Sequence, residues 1–476
     1  MSKKILIMLV VVVTGVFMAS VAMAHTYSYL GYVTALTTSG KTAGTIVNPE
    51  GKGDVLICPF YDVRVINGTS QETYITIINE NMGPKEDNRG VAAKLRFREW
   101  DKSEEVFDID IWLSDNDVWV GVLTRDTSTG LARIFSPDYV IIDDSDAAFT
   151  ISKQTTVSTG VNFSTQNVPG GALNAKAPPT GFTAADLTNM GYFEIIGEEK
   201  TYTTPNALPA TDPRTVTRIN PISASRDCPN SLSAYVFLVR RLDGTSMAYN
   251  CTAIANFRKD DFELYDFPGG TLPSLSQCED GLGQLEFELS KARVYQGYSI
   301  ESDIHGQFSL IITLPTKHFH FGGRPLYTTH TPPFTGIHAN DGEAVDVTIF
   351  DRDEHTALQG YTSPQSETLF NLPWEVNVIG LFPTAPTRPA LGYRDNVAWS
   401  TGTFNSGWLW VDLYNKVHFV DKKYFGHLGI EFDGYNGLPA ISLVIQEFQN
   451  LLLTPAGYYG DILPAFYEVD WHLLAE

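Results

Sequence analysis

Within Lys317-His318-Phe319-His320-Phe321 two imidazoles stand two residues apart. In an extended strand that spacing puts both on one face, where with a third ligand they can converge on zinc or copper. His330 and His338 follow in the next loop. The same spacing has a plainer reading, in which His318 and His320 are the polar face of a strand that turns Phe319 and Phe321 inward. Acidic clusters offer the hard oxygens that calcium takes. Asp115 with Asp117, then Asp143, Asp144 and Asp146, then Asp351, Asp353 and Glu354 fall at strand ends or turns. None matches the twelve-residue calcium loop with its glycine and closing glutamate, so solvated turns are the alternative at each.

Nucleophilic chemistry finds little support. A hydrolase elbow needs a serine between glycines on a strand-to-helix turn, and the nearest match is Gly244-Thr245-Ser246-Met247-Ala248. It follows Leu242-Asp243 and leads into another strand, so an Asp-Gly hairpin explains it better. Gly281-Leu282-Gly283 lacks the third glycine and the strand-to-helix setting of a dinucleotide loop. Carboxylate pairs that hydrolyse glycosides are defined by a separation in space, which sequence does not select among so many acids. No catalytic residue is assigned.

Residues 1–24 read as a secretory signal peptide: Lys3 and Lys4, the apolar run ILIMLVVVVTGVFM, then small residues ending in Ala22-Met23-Ala24. Cleavage there makes His25 the new N-terminus, whose amine and imidazole can chelate copper; cleavage after Ser20-Val21-Ala22 is the alternative. In that one residue the chain resembles copper-dependent polysaccharide monooxygenases; HTYSYLGYVT does not continue the resemblance. No later stretch is long and apolar enough to span a bilayer, so an exported protein without a membrane span is expected. Loss of the two leader lysines takes the net charge from -22 to -24. Nucleic acid and anionic membrane would repel such a chain.

Cys58, Cys228, Cys251 and Cys278 make an even set for an oxidising compartment, with three pairings open. Cys228 and Cys251 flank a hairpin, which favours their pairing and leaves Cys58 with Cys278. A C-x-x-C zinc pattern is absent.

Period-two alternation recurs along the chain, at residues 72–79, 91–100, 105–114, 117–125, 191–199, 234–242 and 246–257, and in five further runs between 308 and 448. In FDIDIWLS, Phe107, Ile109, Ile111 and Leu113 share one face and Asp108, Asp110 and Trp112 the other, the mark of a half-buried strand. One short helix is expected at 182–191, with Thr183 and Asp186 spaced as a capping box. Crossover helices are missing, so the chain reads as all-β: two β-sandwich (immunoglobulin-like) domains in tandem. The first covers 25–275, with a Thr/Pro/Gly-rich excursion over about 150–225 that includes VPGGALNAKAPPTG as a flexible or partner-contacting loop; the turn-rich stretch 267–284 marks the boundary, and the second covers 284–476.

The segments GDVLICPFYDVRV, KLRFREW, FDIDIWLSDNDVWVGVL, GYFEIIGE, MAYNCTAIANF, TLPTKHF and IFDRDE, in that order, resemble a group of exported bacterial proteins, some labelled surface-layer or cell-surface. The resemblance implies a β fold and a place at the cell surface or in the periplasm, and no reaction. A secreted structural or adhesion protein, with itself or other surface proteins as partner, is the function expected. The alternative is a carbohydrate-binding or carbohydrate-active protein. Trp112 and Trp119 are expected to face away from the apolar faces of their strands, and Trp408 and Trp410 share one face of GWLWVDLY, where they would stack on sugars or else fill a core or an interface.

Overall fold

The computed structural model describes residues 44–66, 68–80, 89–113, 116–142, 154–202, 230–241, 244–257, 269–322, 329–336, 342–353, 371–383, 395–413, 423–425, 430–450, 457–468 and 470–473. The fold is all-β, of sandwich type. In the first half the strands used below are β1 (Ile46–Val47), β2 (Val55–Asp62), β3 (Thr69–Asn79), β4 (Arg89–Glu99), β5 (Glu105–Leu113), β6 (Val118–Arg125), β7 (Ala132–Phe135), β8 (Tyr139–Ile141), β9 (Gln154–Thr156) and β10 (Val161–Asn162). They continue through helix α1 (Ala184–Leu187), β11 (Met190–Tyr202), β12 (Leu232–Arg240), β13 (Thr245–Asn250) and β14 (Thr252–Ala255). Helix α2 (Leu282–Leu289) opens the second half. There follow β15 (Arg293–Ser299), β16 (Gln307–Thr313), β17 (Asp346–Asp351), β18 (Val376–Phe382), β19 (Val397–Ser400), β20 (Ser406–Asp412), β21 (Ile441–Asn450), β22 (Gly457–Pro464) and β23 (Phe466–Glu468).

Sheet one runs β1-β14-β2-β11-β4-β5-β8-β9 and sheet two β10-β7-β6-β3-β12-β13. Both are antiparallel throughout, as short turn-rich connections require. Sheet three runs β17-β20-β15-β23 and sheet four β19-β18-β16-β21-β22, the β18–β19 pair being parallel. Alternation does what the sequence promised on the inner faces. Leu95, Phe97, Ile109 and Ile111 of sheet one are buried with Ile75, Ile77 and Val236 of sheet two, and Tyr298 of β15 meets Phe308 of β16 edge-on at 6.2 Å.

The other face of sheet one departs from the half-buried expectation. Lys94 and Arg96 of β4 stand in register with Asp110 and Asp108 of β5, and all four are buried. Lys94 Nζ lies 3.6 Å from Asp108 and 3.9 Å from Asp110, while Arg96 pairs with Glu105 at 2.7 Å. The cover is the segment 269–275, from the turn-rich stretch 267–284 expected to divide the chain. It lies across the sheet instead, since its carbonyls at Gly270, Leu272 and Pro273 accept from Arg96 and Lys94, and Gly269 N–H donates to Asp108. Charged side chains in a strand therefore need not face water; here they hold down a strap.

Two further expectations change. Cys58 pairs with Cys251, not with Cys278, because β2 and β14 are neighbours and Ile57 faces Thr252. Cys251 is thus unavailable to Cys228, which lies outside the described residues; Cys278 is buried with its Sγ 3.3 Å from Thr45 Oγ1. Within the excursion, the loop 168–181 carries turn bonds from Gly170 N–H to Lys176 O and from Gly171 N–H to Val168 O, and Val168 is in the core. Near its end, Thr183 caps α1 with the expected reciprocal bonds to Asp186. The helix α2 at 282–289 was not expected: LGQLEFEL alternates as well as it spirals, and burial of Leu285 and Leu289 fixes it as a helix.

Buried carboxyls give the molecule a pH signature. Glu99 accepts N–H bonds from Asp101, Lys102 and Glu104, yet burial, with the Asp101 carboxylate beside it, pushes it well above the usual 4.5. Burial likewise raises Glu105 and Asp108. A carboxyl raised in the folded chain gives stability that is complete below its unfolded value and is lost as pH climbs through the raised value. The urea midpoint is therefore expected to be higher near about pH 5 than near about pH 7.5, and Glu99→Gln to shrink the difference. An unchanged slope in that variant would remove Glu99 as a source.

Candidate interaction surfaces

Of the metal candidates among the described residues, the two neighbouring histidines do not share a strand face. Lys317–His320 is a single turn of 3-10 helix rather than a strand, so His318 and His320 part company. His318 is buried with Nδ1 3.5 Å from the Tyr192 hydroxyl, and His320 pairs through Nε2 with Glu286 and through Nδ1 with Thr331 at 2.9 Å. His330 lies across from Phe321 in a two-residue pairing. Asp117 bonds the N–H of Val118, and Asp351 that of Asp353, as turn carboxylates do. His25, Asp115, Asp143, Asp144, Asp146, Glu354 and His338 lie outside the described residues. Among the described residues no three His, Cys, Asp or Glu side chains gather where they could hold a metal ion. Ser246 stands mid-strand in β13, in the hairpin reading and without an elbow.

Two surfaces do stand out. The first is the outer face of sheet two. Register places Val120, Thr76, Tyr235 and Asn250 in one row, and Val122, Tyr74, Phe237 and Ala248 in the next. Of the ten exposed large apolar side chains among the described residues, Val118, Val120, Tyr235 and Phe237 stand on this face, each more than a third exposed. The outer-face positions of its four longer strands hold one charged residue, Glu72 of β3, which is 4% exposed and paired with Arg241 at 2.8 Å. In a chain of net charge -22 this is a neutral, apolar field.

Trp119 belongs to the opposite face. Expected outside, it is 1% exposed, because β6 turns Trp119, Gly121 and Leu123 inward and the valines outward. Gly121 makes this feasible: a Cβ there would stand 2.3 Å from the indole, so only glycine lets the ring fold over the strand. The side chain of Trp112 is not among those described. A sequence signal for the apolar face existed in AYVFLVRRL, which is apolar on both faces, but alternation alone does not say which face meets the partner sheet.

The second surface is the outer face of sheet three. Trp408 and Trp410 share it as expected, both half-buried, and Phe350 of β17 joins them. Phe350 stacks on Trp408 at 3.9 Å and 9°, and meets Trp410 edge-on at 5.4 Å. Arg293 covers Trp410 at 4.5 Å and pairs with Asp412 at 2.6 Å. Phe350 went unrecognised in the sequence because nothing local to IFDRDE reveals a register with GWLWVDLY.

For membranes, no helix among the described residues is long and apolar enough to cross a bilayer. The chain matches no family model, and no match was found for it among curated proteins or among solved structures.

Proposed function

We propose that the protein acts outside the cell as a self-associating surface protein, two copies meeting through the outer face of sheet two. The observation that carries the reading is the neutral apolar field on a strongly acidic chain. Copies that repel at long range can make a lasting contact only where neither presents charge. Four strands about 4.8 Å apart and about eight residues long at ~3.4 Å each give roughly 500 Å2 per copy. A facing pair then buries about 1,000 Å2, the lower bound for specific association. The signal-like leader and the resemblance to exported surface proteins support the location.

Sedimentation velocity of the chain beginning at His25 tests this. A dimer or larger assembly is expected, strengthened as salt screens the net charge. Phe237→Lys combined with Tyr235→Lys is expected to weaken association at least tenfold with an unchanged circular dichroism spectrum, since both side chains point to solvent. A wild-type chain that stays monomeric across salt and concentration would end the proposal.

A further inference from the structure

The aromatic group on sheet three differs in kind from the apolar field on sheet two. Trp408 is flanked by Phe350 on one side and by Gly297 on the other, the two residues that face it across the strands. Phe350 lies against one face of the indole, nearly parallel, at a distance shorter than the normal strand spacing. On the strand at the other side of Trp408 stands Gly297, which has no side chain to cover the second indole face, while Trp410 meets Trp408 edge-on at 5.5 Å. That glycine is exposed, and a Cβ on it would meet only the Gly407 carbonyl oxygen at 3.7 Å. The result is a notch with one aromatic wall and an open floor. Trp410 offers no equivalent, because Arg293 lies over its ring and Phe350 closes its side.

One row further along the strands the surface turns polar. Ser299 and Ser406 face each other with their hydroxyls 3.2 Å apart, and Ser406 donates to Glu301 at 2.7 Å. Arg352, 77% exposed, reaches the same Glu301 carboxylate at 3.3 Å. A flat apolar wall beside hydroxyl, carboxylate and guanidinium groups is the complement of a pyranose ring. Such a ring has a face of C–H bonds for the electron-rich indole and a rim of hydroxyls that both donate and accept.

We infer that the notch between Trp408 and Gly297 binds a pyranose unit of a neutral polysaccharide. The acidity of the chain sets the charge class, since a uronate polymer would be repelled where a neutral one is not. This binding does not depend on association through sheet two, which lies in the other half of the chain.

The test is affinity electrophoresis of the chain beginning at His25 through gels containing dextran, mannan, a soluble β-glucan or, as the acidic comparator, alginate. Retardation by at least one neutral polymer is expected, with none by alginate. Trp408→Ala is expected to weaken binding at least tenfold. Gly297→Leu fills the notch from a position with room for a side chain, and is expected to give the same loss with an unchanged melting temperature. Phe237→Lys is expected to bind as wild type does, which separates this site from the association surface. Absence of retardation by every neutral polymer overturns the inference, as does stronger retardation by alginate or full binding by a folded Gly297→Leu protein.

Discussion

Replacing Arg98 with methionine is expected to cost about 3–5 kcal/mol, the usual result of stranding one member of a buried ion pair. The guanidinium donates to Glu194 at 2.7 Å and to the Ser103 carbonyl at 2.9 Å, in surroundings where Arg98 is 7% exposed and Glu194 not at all. Burial alone would lower the guanidinium's proton affinity; the Glu194 carboxylate, together with Tyr192 and Glu105, offsets it and holds the group above its ordinary value. Without Arg98 the carboxylate has lost its counter-charge with no access to water. The double change Arg98→Met with Glu194→Leu removes both charges, and is expected to regain most of the loss, to within about 1–2 kcal/mol of wild type. Urea unfolding followed by tryptophan fluorescence measures all three proteins. A single variant costing less than about 1 kcal/mol would show that the pair is solvated in solution.

Trp100→Ala is expected to divide one unfolding transition into two. Its indole is 1% exposed, edge-on to Trp374 at 4.9 Å and to Phe182 at 5.0 Å, and its carbonyl accepts the N–H groups of Glu375 and Val376, each at 3.0 Å. Side chain and backbone at this residue thus join strands before residue 256 to strands after 292. Truncating a buried tryptophan typically costs about 3–5 kcal/mol. Much of that cost would fall on the contact between the two halves of the chain rather than within either half. Calorimetry is expected to show a single endotherm for the wild type and two resolved ones for the variant. One sharp endotherm, merely shifted down, would mean that the halves unfold as a unit whatever lies between them.

Much of this architecture can be read from the chain, because alternation is a local property. ETYITIIN, VAAKLRFREW and SGWLWVDL declare themselves strands, and Thr183 with Asp186 declares a helix start. What alternation leaves open is the fate of each face. Lys94, Arg96 and Asp110 look like solvent-facing positions until a strap from residues 269–275 arrives to cover them. The disulfide was misassigned for a related reason: a hairpin makes Cys251 local to Cys228, whereas the sheet order places it beside Cys58, which is 193 residues away. Trp408 and Trp410 could be picked as a pair, but the open face of Trp408 depends on Gly297, brought alongside by a register that no local pattern encodes. His318 and His320 failed in the opposite direction, since the assumed strand is one helical turn.

The order of strands in sheet one also sets a clock on synthesis. Strand β2, buried along its whole length, lies between β11 and β14, and both partners follow it by well over a hundred residues. At ~5–20 residues added per second, its backbone donors and acceptors wait on the order of ten seconds or longer for their ladders. During that wait VLICPFYD is an apolar segment with two open edges, guarded only by Pro59, which has no N–H to offer a passing strand. Whatever shelters this segment until Thr252–Ala255 has been made therefore governs how much of the chain reaches its folded state.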